Sequence, residues 1–141
     1  IFDLEKINME FVEDMDNKPL LCDLDYFKFL YNWSRRRSSR QEKLDYFGLA
    51  TLTKRTNLSL EENKEIIRIL TNLVNNSLRK GDIYSFWNET QLIMIVYEID
   101  DKSLETIEDR INKNFQNLLE NKKSTLEIKF KPIISNERLI I

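Results

Sequence analysis

The stretch from residue 82 to residue 97, "DIYSFWNETQLIMIVY", constrains the fold of this chain more than any other. Two apolar runs of strand length flank the residues Asn88 to Gln91, whose polar side chains are typical of a turn. The second run, Leu92 to Tyr97, is the longest apolar run in the chain and suits a buried strand. We therefore predict a β-hairpin that forms part of a core sheet.

A helical pattern and a strand pattern lie on each side of this hairpin. Residues 57–80 and 100–121 carry apolar side chains at helical spacing. Residues 45–53 are apolar on both alternating faces, as in an interior strand, and Pro132 marks residues 124–133 as an edge strand. The order β-α-β-β-α-β is the split unit of ferredoxin-like α/β sandwiches. We predict an α+β fold with this ferredoxin-like core, N-terminal helices before it, and helices on one face of the sheet.

Capping residues predict where the helices begin and end. A helix before the first strand has apolar positions at Leu24, Phe27, Leu30 and Tyr31 on one face. The predicted caps are Asp23 or Asp25, Ser59 with Glu62, and Asp100 with Asp101, and the predicted helix ends are near Gln41 and at Gly81.

The segment boundaries predict one domain with short flanking segments. We assign residues 1–18 to a linker helix from an upstream region, residues 19–135 to the domain, and residues 136–141 to a tail. Because the chain begins at Ile1 without a methionine or a signal-like start, we expect it to be a piece of a longer protein.

Composition excludes several classes of function. A hydrophobic content of 41% with 33% charged residues is typical of a soluble globular chain, and a net charge of −2 argues against direct nucleic-acid contact. No apolar run approaches the roughly 18 residues of a membrane helix. Since Cys22 is the one cysteine and there is no histidine, disulfide frameworks, Cys/His zinc sites and Ser-His or Cys-His catalysis are excluded. We expect a reduced, cytoplasmic setting.

Several segments of the sequence, in this order of helices and strands, resemble the GGDEF family, the diguanylate cyclases. "SLRKGD", "IYSFW", "NETQL" and "IMIVY" resemble that family's helix end, first hairpin strand, signature loop and second strand. "DYFKFLYNWSRRRSSRQEKLDYFGLATLT" resembles its first helix and central strand, and "SLETIEDRI" its penultimate helix. The resemblance covers roughly residues 20–133 and implies a nucleotide-signalling fold.

A narrower resemblance points to a regulator. "LLCDLDYFKFLYNWSRRRS", "FGLATLT" and "SLRKGDIYSFWNETQLIMIV" look like a degenerate GGDEF domain found C-terminally in bacterial transcriptional regulators that carry a bacterial transcriptional activator domain. "FDLEKINMEFVED" resembles the linker helix of such proteins. This resemblance implies upstream DNA-binding and activator domains in the same chain.

At the positions that correspond to the catalytic residues of active cyclases, this sequence lacks the family's characteristic residues. At the signature loop the glycines are replaced by Asn88 and Glu89, the acids by Thr90 and Gln91, and the phenylalanine by Leu92. At the metal-ligating Asp-x-Asp of the central strand stand Thr51 and Thr53. Mg²⁺ and two-metal phosphoryl chemistry require hard, charged oxygen ligands. We therefore expect no cyclase activity, no metal and no cofactor.

A second motif suggests a binding site that survived. Many cyclases bind cyclic di-GMP at an inhibitory Arg-x-x-Asp motif five residues before the signature loop, and Arg79-Lys80-Gly81-Asp82 fits this spacing. Arg110 stands where the family has an assisting arginine. Guanidinium groups would bind guanine or phosphate, and the carboxylate would accept from guanine N–H groups. The alternative is structural: Arg79 in a last helical turn, Asp82 in an ordinary turn, and Arg110 paired with neighbouring acids.

The other candidate binding residues are better explained by ordinary structural roles. The arginines of "SRRRSSR" beside Trp33 could touch nucleic acid, but a solvated helix face is the expected role. The acids of "EDMD" indicate a solubilising run, Cys22 a small buried hydrophobe, and Phe86-Trp87 a core-and-rim pair.

Three functions follow from these observations. The first is a non-catalytic regulatory or dimerising domain, with a homodimer as its expected assembly. The second is a cyclic dinucleotide receptor that uses Arg79, Asp82 and Arg110. The third is an enzyme with altered chemistry, such as nucleotide hydrolysis, for which the sequence offers no metal carboxylates.

Overall fold

A computed structural model describes residues 3–13, 16–40, 42–54, 59–118 and 124–135. The predicted order of helices and strands is confirmed, with one added strand, β1, that the sequence pattern did not reveal. In chain order the elements are α1 (Leu4–Met9), β1 (Leu20–Leu21), α2 (Leu24–Arg37), a 3₁₀ turn (Ser38–Arg40), β2 (Leu44–Lys54), α3 (Leu60–Ser77), β3 (Ile83–Asn88), β4 (Gln91–Ile99), α4 (Asp101–Leu118) and β5 (Ser124–Ile133).

The strands form one sheet in the order β1-β3-β4-β2-β5. Strand β2 lies inside the sheet, antiparallel to both β4 and β5, and β4 is antiparallel to β3. The β4 strand therefore separates β2 from β3, as in a split β-α-β unit. Pro132 lies on the edge strand β5, as predicted. The α+β class and the β-α-β-β-α-β core are confirmed.

Helices cover both faces of the sheet, which corrects the expectation that they share one face. Helices α3 and α4 pack on one face, around buried residues such as Leu70, Ile111 and Phe115. Helix α2 packs on the opposite face, where Phe27 lies with Ile93 and Ile95 in a second, smaller cluster. The reason lies in β2 and β4, which are apolar on both alternating faces and so require cover on both.

Most predicted caps are confirmed. Ser59 and Glu62 form a capping box at the start of α3, and the Asp23 carboxylate caps α2 by accepting from the N–H of Tyr26 at 2.8 Å. The Asp100 carboxylate accepts from the N–H of Ser103 at 2.8 Å. Each satisfies an N–H group that has no partner within its own helix.

Two helix ends were predicted too late. Helix α2 ends at Arg37 and passes into the 3₁₀ turn, while Gln41 lies outside the described residues. Helix α3 ends at Ser77, four residues before Gly81, because Leu78 adopts an extended conformation that buries its side chain. Arg79 therefore lies beyond the helix, and its expected place in a last helical turn is wrong.

The described residues before Pro19, 3–13 and 16–18, are all exposed. Helix α1 is shorter than the predicted linker helix and has no buried residue. The assignments of residues 1–18 to a linker and of residues 136–141 to a tail stay predictions. Residues 136–141 lie outside the described residues, and so does Leu119, near the end of the predicted last helix. Within the described residues, every helix is too short or too polar to cross a bilayer.

Gly48 of β2 gives a direct test of the packing between the sheet and the α3–α4 layer. A Cβ atom at this position would lie 2.5 Å from Phe130 Cε1 and 2.8 Å from Met94 Cγ. We expect Gly48→Ala to lower the free energy of unfolding by about 1–3 kcal/mol, because overpacking forces these side chains to move. Gly81→Ala is the matched control, since nothing lies within 4 Å of a Cβ there. Denaturant unfolding that gave both variants the same stability would contradict this account.

Candidate functional site

The tip of the β3–β4 hairpin lies against the end of β2. The N–H of Leu52 donates to the carbonyl oxygen of Thr90 at 2.8 Å. Thr51 is paired in register with Gln91, and Thr53 lies two residues further along β2. The structure therefore brings the predicted signature loop, residues 88–91, next to Thr51 and Thr53, the predicted equivalents of metal-ligating residues.

Neutral side chains at the tip form a continuous chain of hydrogen bonds. The N–H and the hydroxyl of Thr90 donate to Asn88 Oδ1 at 2.9 and 3.2 Å. Asn88 Nδ2 donates to Gln91 Oε1 at 2.8 Å, and Gln91 Nε2 donates to Thr51 Oγ1 at 3.3 Å. We call Thr51, Asn88, Thr90 and Gln91 the neutral tip network. Its members satisfy one another without any charged group.

The residues around this network do not fit a magnesium site. Glu89 is exposed in the two-residue turn, and Thr51, Thr90 and Gln91 offer only uncharged oxygens. Among the described residues, no three Asp, Glu or Cys side chains are grouped closely enough to hold a metal ion. The local chemistry therefore supplies a hydrogen-bonded turn and not a charged cradle for a triphosphate.

Leu92, which takes the place of the signature phenylalanine, is a core residue. It is 1% exposed and pairs with Ala50 of β2 and Phe86 of β3. The hairpin is thus anchored in the larger core immediately beside the tip.

A cavity of about 630 Å³ lies between the tip and the first turns of α3. One of its lining residues was missed by sequence reasoning: Asn63, whose Oδ1 atom is buried without a hydrogen-bond partner. A polar residue one helical turn after the Ser59 cap was the only signal for it in the sequence. The lining residues are Leu60, Asn63, Lys64, Ile67, Phe86, Asn88 and Glu89.

Asp82 of the Arg-x-x-Asp motif points into the protein. It is 1% exposed, and its carboxylate accepts from the N–H groups of Arg79 at 2.9 Å and Tyr97 at 3.0 Å. The half-exposed Arg79 guanidinium adds two longer bonds to the same carboxylate and donates to the Tyr97 carbonyl oxygen. Asp82 thereby ties the turn before β3 to the middle of the sheet.

Solved structures similar to this chain share one fold. A DGC protein from Thermotoga maritima matches with a TM-score of 0.65 at 13% identity, over 79% of this chain and 81% of that one. The GGDEF domain of DgcB from Caulobacter crescentus, solved in complex with c-di-GMP, matches with a TM-score of 0.70 at 9% identity, over 89% and 82%. The FimX GGDEF domain from Pseudomonas aeruginosa matches with a TM-score of 0.70 at 12% identity, over 91% and 85%.

The chain has a GGDEF-domain fold. No protein-family model matches the sequence, and no curated protein matches it either. Identities this low establish the fold alone, so the chemistry has to be argued from the side chains.

The third predicted ligand-binding residue, Arg110, makes no direct contact with the other two among the described hydrogen bonds and ion pairs. Arg110 lies on the exposed side of α4, and no hydrogen bond or ion pair joins it to Arg79 or Asp82. Within the described part of the chain it has no ion pair with Glu105, Glu108 or Asp109 either. The assignment of Arg79, Asp82 and Arg110 to one ligand site stays a prediction.

The remaining candidates occupy ordinary structural positions. Cys22 is buried, and burial raises the pKa of its thiol, which disfavours the nucleophilic thiolate. Arg37 of the basic run pairs with Glu98 at 3.5 Å. Phe86 packs against the core, while Trp87 is 58% exposed on the rim of a cavity of about 800 Å³ between α2 and the sheet.

The position of Asp82 predicts a large effect on stability. Asp82→Ala leaves two main-chain N–H groups without their acceptor, at about 1–3 kcal/mol each, so we expect a loss of about 2–6 kcal/mol in the free energy of unfolding. Asp100→Ala, which removes an exposed helix cap, should cost about 1 kcal/mol. The measurement is urea unfolding of both variants. An Asp82→Ala variant no less stable than Asp100→Ala would show that the carboxylate has no structural role.

Proposed function

We propose that this chain is a non-catalytic GGDEF-like domain that acts as a regulatory or dimerising module. The observation that carries the proposal is the neutral tip network, in which Gln91 is hydrogen-bonded to Asn88 and Thr51. Uncharged groups hydrogen-bonded to one another lie at the positions that the resemblance assigns to phosphoryl chemistry, and such chemistry needs charged groups.

The energetics of phosphoryl transfer support this proposal. Metal ions neutralise the charge that develops on the phosphate oxygens, and carboxylates hold those ions in place. Thr51 and Gln91 carry no charge, and Glu89 is a single exposed acid in the turn. One such acid lacks the partners that an octahedral magnesium ion needs.

The proposal of a non-catalytic domain predicts that the purified protein does not turn over GTP. With GTP and Mg²⁺ we expect no cyclic di-GMP, no pyrophosphate and no inorganic phosphate above the rate without protein, as measured by chromatography and phosphate release. An active GGDEF domain serves as the positive control. Turnover by this chain that disappeared in Glu89→Gln would overturn the proposal and favour altered hydrolytic chemistry.

We further propose that the domain belongs to a cytoplasmic bacterial transcriptional regulator with DNA-binding and activator domains upstream. The support is the resemblance of residues 20–38 and 47–53 to the degenerate GGDEF domains of such regulators. Reading the coding sequence on both sides of residues 1–141 tests this directly. A neighbouring region without any DNA-binding domain would contradict it.

A cyclic dinucleotide receptor is the second candidate function. In its favour are the spacing of Arg79 and Asp82 before the tip and the half-exposed Arg79 guanidinium. Against it stands the Asp82 carboxylate, which already accepts from two main-chain N–H groups and from Arg79. A guanine base would have to displace bonds that hold the turn before β3 in place. We therefore rank the receptor below the non-catalytic module.

Calorimetry separates these two candidates. We expect no heat on titrating cyclic di-GMP into the protein at ligand concentrations of tens of micromolar. Binding that is lost in Arg79→Ala and retained in Lys80→Ala, an exposed neighbour in the same turn, would establish the receptor instead. Arg79→Ala is preferred to a change at Asp82 because it leaves the buried carboxylate in place.

A further inference from the structure

Helix α2 has a second apolar side that faces solvent. Tyr26, Phe29 and Trp33 are 47%, 62% and 49% exposed, although they lie on a helix that also packs against the sheet. At 3.6 residues per turn they form one stripe, centred about a third of a turn away from the buried Phe27 and Ser34. We call these three residues the aromatic stripe. Contiguous exposed aromatic surface of this kind marks an interaction site.

Charges are distributed unevenly along the same helix. Asp23 and Asp25 stand at its start, and its last turn is basic, with Arg36 exposed. Asp25 and Arg36 are eleven residues apart, close to three full turns, so both lie on the same flank of the aromatic stripe. The stripe is therefore bordered by an acid at one end and a base at the other.

We propose that the aromatic stripe is the contact between two copies of this chain, paired antiparallel through α2. A two-fold axis near Phe29 would place Phe29 against its own counterpart and Tyr26 against Trp33 of the second copy. In this arrangement Asp25 of each copy lies beside Arg36 of the other, because residues on one flank meet the same flank across such an axis. The two helix dipoles also oppose each other favourably.

The argument for a second copy is that this surface complements itself. A helix with acids at one end and bases at the other matches an inverted copy of itself at both ends. The α1 segment, which also exposes apolar residues, is a poorer occupant. It spans only six residues, and the residues at its two ends, Asp3 and Glu10, are both acidic, so it has no basic end to place beside Asp25.

The size of the surface predicts a weak, reversible dimer. An aromatic side chain contributes roughly 150–250 Å² when fully buried, and about half of each of these three is exposed. The stripes of two copies together then bury on the order of 600 Å², below the roughly 1,200 Å² at the lower end of stable interfaces. We expect self-association in the micromolar range or weaker.

This inference rests on the proposed dimerising role and names its surface. Its test is separate from the test of catalysis, because oligomeric state and GTP turnover are measured independently. If no dimer were detected, the argument from the neutral tip network and the expected lack of GTP turnover would be unaffected.

Sedimentation velocity of residues 1–141, from low micromolar to near-millimolar concentration, tests the proposal. We expect the average mass to rise toward that of a dimer and Phe29→Glu to remain monomeric at every concentration, because it places two like charges on the axis. Phe11→Glu is the matched control: Phe11 is 78% exposed and lies outside the stripe, so the dimer should persist. Circular dichroism checks that both variants are folded.

Charge reversal tests the antiparallel pairing itself. Asp25→Arg and Arg36→Asp should each weaken the dimer by roughly three- to tenfold at low salt, since each affects two symmetric pairs. The double variant should recover most of the loss. A monomer at all concentrations, a dimer abolished by Phe11→Glu but not by Phe29→Glu, or a double variant without recovery would each overturn the proposal.

Discussion

Strand β4 is the constraint on which the rest of this structure depends. Its residues Leu92, Ile93, Met94, Ile95 and Val96 are all at most 6% exposed, and they alternate between the two clusters that pack on opposite faces of the sheet. Both cores therefore lose packing if this strand shifts. A slip of one residue would exchange the two faces, so the register of the hairpin is fixed from both sides.

This constraint applies to the frame of the hairpin and not to its tip. The frame is buried, whereas Asn88 and Glu89 are exposed and Thr90 and Gln91 only half-buried. The requirement at the tip is a turn that joins β3 to β4 and keeps Thr90 bonded to β2. Asn88 meets it with its own side chain, which accepts from the N–H of Thr90 as in an Asx turn. A turn can therefore keep its shape after losing charged residues, because shape and charge depend on different atoms.

Sequence patterns predicted those parts of the fold in which local and tertiary preferences agree. The Ser59 capping box, the Asp100 cap and the interior position of β2 all follow from residue types and their spacing. Strand β1 was missed because its two residues are defined by main-chain bonds such as that from Leu20 N–H to the Asp82 carbonyl oxygen, at 2.9 Å. The end of α3 was misplaced because Leu78 is buried, a tertiary preference that overrides its helix propensity.

At the candidate site, the spacing of residues in the sequence does not predict which way the side chains point. The interval between Arg79 and Asp82 is the same whether the carboxylate faces a ligand or the protein interior. The direction of the Asp82 side chain follows from its neighbours. Because Leu78 and Ile83 are both buried, the turn lies close to the sheet, and the Asp82 carboxylate accepts from the N–H of Tyr97. Once there, the carboxylate needs several donors to offset the cost of burial, and the Arg79 and Tyr97 N–H groups supply them. The guanidinium of the half-exposed Arg79 side chain also donates to the same carboxylate. Asp82 thus links the turn before β3 to β4, and any ligand of its carboxylate would have to compete with these main-chain N–H groups for the same oxygen atoms.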